Sequence, residues 1–133
     1  MFVSLDDADP GKRPLSSSTP TIIEDGKNVL AVVGASGGSL IITATLQVIL
    51  GLLDWNMHPL DAIAMPRLHH QLAPDNIVAE STYNPKILDA LLRKGHSIKT
   101  ATSFSGVAAI KRLPTGLIQA GGDTRKRGFA SVY

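Results

Sequence analysis

The sequence predicts an α+β fold with helices gathered on one face of a largely antiparallel sheet. Short β-branched runs joined by turn residues lie near both ends, over residues 21–34 and 106–120, while segments of helical character fill the middle. Of 133 residues, 44% are hydrophobic and 18% charged, which describes a chain with much to bury and sets one modest domain, or part of one, as the expected unit.

From Met1 to Ser18, Pro, Gly and Ser without periodicity predict an extended loop, and Met1 to Gly11 is short, acidic and unlike a signal peptide. Thr21–Glu24 and Val29–Gly34 read as strands, with Asp25-Gly26-Lys27-Asn28 between them as a hairpin turn and Asp-Gly supplying positive φ. The second strand runs into Gly37-Gly38. Ser39 is then placed to cap a helix whose apolar residues, from Leu40 to Leu53, cover all sides and require layers around it. This stretch falls short of the roughly 20 apolar residues that span a bilayer, and Thr43, Thr45 and Gln47 interrupt it.

Pro59 in a first turn and Pro66 as terminator mark a second helix, expected to pack on the long one. Asn76–Glu80 reads as a strand. Asn84-Pro85 opens a third helix with an apolar face of Ile87, Leu88, Leu91 and Leu92, and Gly95 closes it. Gly106–Arg112 and Leu117–Ala120 flank the turn Leu113-Pro114-Thr115-Gly116 as a closing hairpin. Asp54-Trp55 serves helix termination and packing.

Several function classes fall away on composition. A net charge of +2 with 5% aromatic residues is too little for a nucleic-acid footprint. The absence of cysteine removes disulfides, thiolate metal sites and thiol nucleophiles. His58, His69, His70 and His96 have no Cys, Asp or Glu at ligand spacing, so no metal is expected. Arg67, Asp123 and Arg125 are assigned to ion pairs or backbone caps.

Two constellations remain. Ser16 and Ser17 are adjacent hydroxyls in a loop bounded by Pro14 and Pro20, suited to donating two hydrogen bonds to one carboxylate, although serine-rich turns are common. Gly37 and Gly38 precede a helix start. A phosphate cradle of the P-loop kind wants a lysine just after its glycines, and Ser39-Leu40 stand there instead. Two residues without Cβ atoms can turn their N–H groups toward a developing oxyanion, where the helix start adds partial positive charge; a plain glycine turn stays open as the alternative.

The blocks PGKRPLSSSTPT (10–21), GASGGSLIIT (34–43) and AMPRLHH (64–70), in this order and spacing, resemble the small subunit of gamma-glutamyltransferases, and the segments ending at Gly95 and at 121–125 continue the match more loosely. The resemblance implies part of an αββα sandwich of the N-terminal nucleophile hydrolase type, with no cofactor. It implies that Ser16 and Ser17 hold the substrate α-carboxylate and that Gly37 and Gly38 form the oxyanion hole. The partners it implies are gamma-glutamyl compounds such as glutathione, the large subunit and the remainder of the small subunit. No residue of this chain matches the family's nucleophilic threonine. The chain is therefore expected to be a C-terminal fragment of the small subunit, inactive alone, with residues 1–18 as an active-site loop and 19–133 as sheet and helix layers. An extracytoplasmic location follows from the resemblance alone. The other class is a non-catalytic anion-binding module that keeps Ser16, Ser17, Gly37 and Gly38.

Overall fold

A computed structural model describes residues 10–102 and 104–131. Residues 1–9 of the expected active-site loop, and Val132 and Tyr133, lie outside the described residues.

The chain orders as β1 (Thr21–Asp25), β2 (Asn28–Ser36), α1 (Leu40–Leu53), α2 (Pro59–Ala64), β3 (Leu68–His69), β4 (Ile77–Glu80), α3 (Pro85–Arg93), β5 (Ile98–Ala101), β6 (Gly106–Arg112) and β7 (Ile118–Gly122), followed by a 3₁₀ turn at Thr124–Lys126. A four-stranded antiparallel sheet has the order β1-β2-β6-β7. Both predicted hairpins are present. In the first, Gly26 alone takes positive φ, at +61°, and Asp25 does not, because a two-residue turn needs only its first central position there when that position is glycine.

Period-two alternation sets the layering. Ala31, Val33, Val107 and Ala109 point to the helix side and are buried with Ala44, Val48 and Leu52 of α1 and Ala62 and Ile63 of α2. The predicted contact between the two helices is made where Gly51 lets α2 approach: a Cβ there would lie 2.9 Å from that of Ala62. The polar exception on this face is Lys111. Its ammonium donates to the carbonyl of Leu52 at 2.8 Å and to Asn56 Oδ1 at 2.6 Å, placing a cation at the carbonyl end of α1, where the helix dipole favours it.

On the opposite face of the sheet Ile22, Val32 and Ile110 form a cross-strand row, with Ile118 beside it, and all four are exposed among the described residues. Helix α1 is likewise covered on one side only, since Ile42, Leu46 and Leu53 remain exposed.

A second sheet, of order β3-β4-β5, was not anticipated. β3 runs antiparallel to β4, and β5 runs parallel to it through α3, the right length for a crossover. Asn84 caps α3 by accepting from the N–H of Lys86 at 3.0 Å. The apolar face of this helix is only half-covered, and none of its residues is buried.

Candidate active site

Strand register gathers four segments at one end of the larger sheet. Thr21 opposes Val33, Ser36 opposes Gly106, and Gly122 opposes Ala108. The loop entering β1, the turn leaving β2, the entry to β6 and the exit of β7 therefore share that end. Ser16 and Ser17 lie in the first of these and Gly37 and Gly38 in the second. Among the described residues no hydrogen bond joins the two pairs directly.

The serine loop is held locally. Ser16 Oγ accepts from the N–H of Ser18 at 3.1 Å, and Thr19 Oγ1 donates to Thr45 Oγ1 of α1 at 3.4 Å. Ser16 is exposed and Ser17 half-buried.

Gly37 and Gly38 take φ of +141° and +61°, conformations that L side chains rarely adopt. Helix α1 then starts without the side-chain cap expected of Ser39. That residue sits in right-handed helical geometry, φ −62° and ψ −20°, whereas a capping serine needs extended backbone to bend its hydroxyl back. The first turn closes instead through Leu40 N–H to Gly37 O at 3.3 Å and Ile41 N–H to Gly38 O at 3.1 Å. Among the described residues, the N–H groups of Gly37 and Gly38 have no acceptor. Such a pair at a helix start is a place for negative charge.

Beneath this end lies an ionic network of Arg67, Asp123, Arg125 and Glu80; the sequence assigns the first three to ion pairs or caps without naming their partners, and does not single out Glu80. Arg67 is 1% exposed; its Nη2 donates to Asp123 Oδ2 and, at 2.9 Å, to the carbonyl of Ile63. Arg125 donates to both oxygens of Glu80, at 2.6 and 2.7 Å, and to Asp123 Oδ1 at 3.2 Å. Asp123 also accepts from the N–H groups of Val107 at 3.0 Å and Arg125 at 2.9 Å. Burial alone would raise the Asp123 pKa, but the bonds from Arg67 and the two N–H groups outweigh it and hold the carboxyl below the usual aspartate range. Arg67 Nε is buried without a partner among the described residues.

Ser105, which the sequence did not single out, is fully buried between the network and the glycine turn. On the sheet's outer side at this end, a cavity of about 400 Å³ is lined in part by Ser36, Gly106, Asp123, Lys126 and Phe129.

The histidines diverge. His69 is buried, with Nδ1 2.8 Å from Thr43 Oγ1 and Nε2 2.9 Å from Gln71 Oε1, while His70 Nε2 lies 3.1 Å from Asp75 Oδ1 in solvent and His58 caps α2. Among the described residues no three His, Cys, Asp or Glu side chains are grouped to hold a metal, and no helix is long and apolar enough to cross a membrane.

Comparison with known proteins gives a consistent outcome. The family model described as gamma-glutamyltranspeptidase matches residues 4–133. The glutathione hydrolase proenzyme of Arthroderma benhamiae is 42% identical over 125 residues, covering 92% of this chain and 21% of that protein. The chain thus spans about a fifth of the length of that protein and of the glutathione hydrolase proenzyme 1 of Schizosaccharomyces pombe, to which it is 38% identical. Among solved structures, a Helicobacter pylori gamma-glutamyltranspeptidase variant superposes with TM-score 0.82 at 38% identity, covering 89% of this chain and 66% of that one. The Pseudomonas nitroreducens gamma-glutamyltranspeptidase superposes with TM-score 0.84 at 32% identity, covering 95% and 67%. The architecture of this chain is that of the N-terminal nucleophile hydrolase structures it superposes on.

Proposed function

The chain belongs to the gamma-glutamyltranspeptidase family, and from that premise we propose that it forms part of an enzyme transferring the gamma-glutamyl group of glutathione and related compounds to water, amino acids or peptides. The observation that carries this reading is the Gly37-Gly38 turn, two positive-φ glycines whose N–H groups have no acceptor among the described residues, at the start of α1 and at the same sheet end as Ser16 and Ser17. Residues 1–18 then serve as a loop over the substrate and 19–133 as the layers that support it. The large subunit and the rest of the small subunit complete the site, outside the cytosol as in the family.

Ser16 and Ser17 donate hydrogen bonds to the substrate α-carboxylate, fixing the gamma-carbonyl over the glycine turn. A threonine hydroxyl from polypeptide outside these residues attacks the carbonyl carbon, with its own α-amino group taking the proton. The carbonyl electron pair moves onto oxygen, where the Gly37 and Gly38 N–H groups meet it. The oxyanion collapses, the C–N bond breaks, and the amine departs with the transferred proton. Water or an acceptor amine then attacks the resulting ester and releases the threonine.

Release of chromophore from a gamma-glutamyl anilide tests the reading. The 133 residues alone should show none, and the chain assembled with the family's nucleophile-bearing and large-subunit parts should show turnover. Turnover by the chain alone, or none by a folded assembly, would overturn it and favour an anion-binding module.

A further inference from the structure

Ser36 and Gly37 share one peptide unit, and that unit is gripped from behind. Ser105 Oγ donates to the Ser36 carbonyl at 2.7 Å across 69 residues of sequence. In a planar trans peptide the C=O and the following N–H point in opposite directions. The hydroxyl that holds the Ser36 oxygen therefore fixes where the Gly37 N–H points, and that N–H has no acceptor among the described residues.

Two further observations make Ser105 a built support rather than a chance neighbour. Its position is over-determined: it is 0% exposed, and its own carbonyl accepts from Arg67 Nη1 at 2.5 Å, which ties it to the buried Asp123 pair. The turn also rests directly on it, since a Cβ at Gly37 would lie 2.9 Å from Ser105 Cα and 3.1 Å from its Oγ. We propose that Ser105 is a positioning residue for the oxyanion hole, acting through the Ser36–Gly37 peptide; the inference rests on the role given above to Gly37 and Gly38.

Two effects follow from one hydrogen bond. The peptide plane cannot rotate to turn its N–H away, so the donor costs no reorganisation when charge appears. A bond accepted by the carbonyl also polarises the N–H of the same unit, strengthening what it donates. Both act on the transition state, where the oxygen carries charge, and little on bound substrate, where it does not. A serine that merely satisfied a buried carbonyl would affect stability and leave the partition between kcat and KM alone.

The test is Ser105→Ala and the near-isosteric Ser105→Cys in the assembled enzyme, beside Gly38→Ala, with the Gly37 amide proton resonance followed in the same proteins. Both Ser105 variants are expected to lower kcat about three- to tenfold with KM within about twofold, and to move the Gly37 amide resonance upfield. If Ser105→Ala melts before assay, Ser105→Cys carries the same comparison. If both Ser105 variants keep full kcat while Gly38→Ala loses turnover, the positioning role is overturned and the oxyanion reading stands. If Gly38→Ala also keeps full turnover, the oxyanion reading falls and the role of Ser105 with it. A parallel loss in kcat/KM through KM alone, with the Gly37 resonance unmoved, overturns the positioning role as well.

Discussion

The Arg67 guanidinium and the Asp123 carboxylate, 56 residues apart in sequence, form an ion pair in which neither side chain is more than 2% exposed. It joins the segment after α2 to the exit of β7, directly beneath the loops of the candidate site. A buried pair of this kind is a modest net source of stability, but removing one partner strands the other charge.

Arg67→Met and Asp123→Asn should each therefore cost about 3–5 kcal/mol of unfolding free energy, as breaking a buried pair does. Urea titration checks this through the midpoint, with the slope unchanged. A cost near that of a surface change, below about 0.5 kcal/mol, would show that the pair contributes nothing.

The same carboxylate sets an acid limit. Its folded pKa is depressed by Arg67 and the N–H groups of Arg125 and Val107 despite burial. The stabilisation is thus fully present above the unfolded aspartate value of about 4 and is lost as pH falls through the lower folded value. Unfolding free energy measured from pH 6 to pH 2 should drop more steeply below about pH 4 in the native chain than in Asp123→Asn. Parallel profiles would assign the acid sensitivity to other groups.

Of the two glycines, Gly38 gives the cleaner variant. A Cβ there meets nothing within 4 Å, so Gly38→Ala causes no clash; it disfavours the left-handed φ by about 1–2 kcal/mol, and the turn relieves that strain by rotating the peptide that aims the N–H. In the assembled enzyme it should lower kcat by roughly 10²–10³ with KM nearly unchanged. Gly37→Ala instead drives its methyl into the Ser105 backbone, and rate and melting temperature should fall together.

Alanine at both Ser16 and Ser17 removes hydroxyls that make only local loop contacts among the described residues, so the melting temperature should hold. If both hydroxyls donate to the substrate carboxylate, each charge-assisted bond is worth about 1.5–3 kcal/mol and KM should rise by two orders of magnitude or more. An unchanged KM with an altered melting temperature would make them turn residues.

Much of this was legible in the sequence, for identifiable reasons. The hairpins and the starts of α2 and α3 are written in local turn and proline chemistry, and the outcome follows it. The smaller sheet is not, because Leu68–His69 is too short to show a period and the pairing of β4 with β5 spans a helix. At the site, a strand running into Gly-Gly and an apolar helix marks the turn. Nothing local marks Ser105, whose partner Ser36 lies 69 residues earlier, or pairs Arg67 with Asp123 rather than another carboxylate.

The row of Ile22, Val32 and Ile110 on the outer face of the sheet governs how this polypeptide behaves as a colloid. Water over adjacent β-branched side chains on a flat face is easily displaced, and contiguous apolar surface of this kind drives association. Purified alone, the chain should scatter light increasingly with concentration, salt out early and brighten an apolar dye. Ile110→Lys, which adds charge where the row meets Ile118, should suppress all three while leaving the helix-side core as it is.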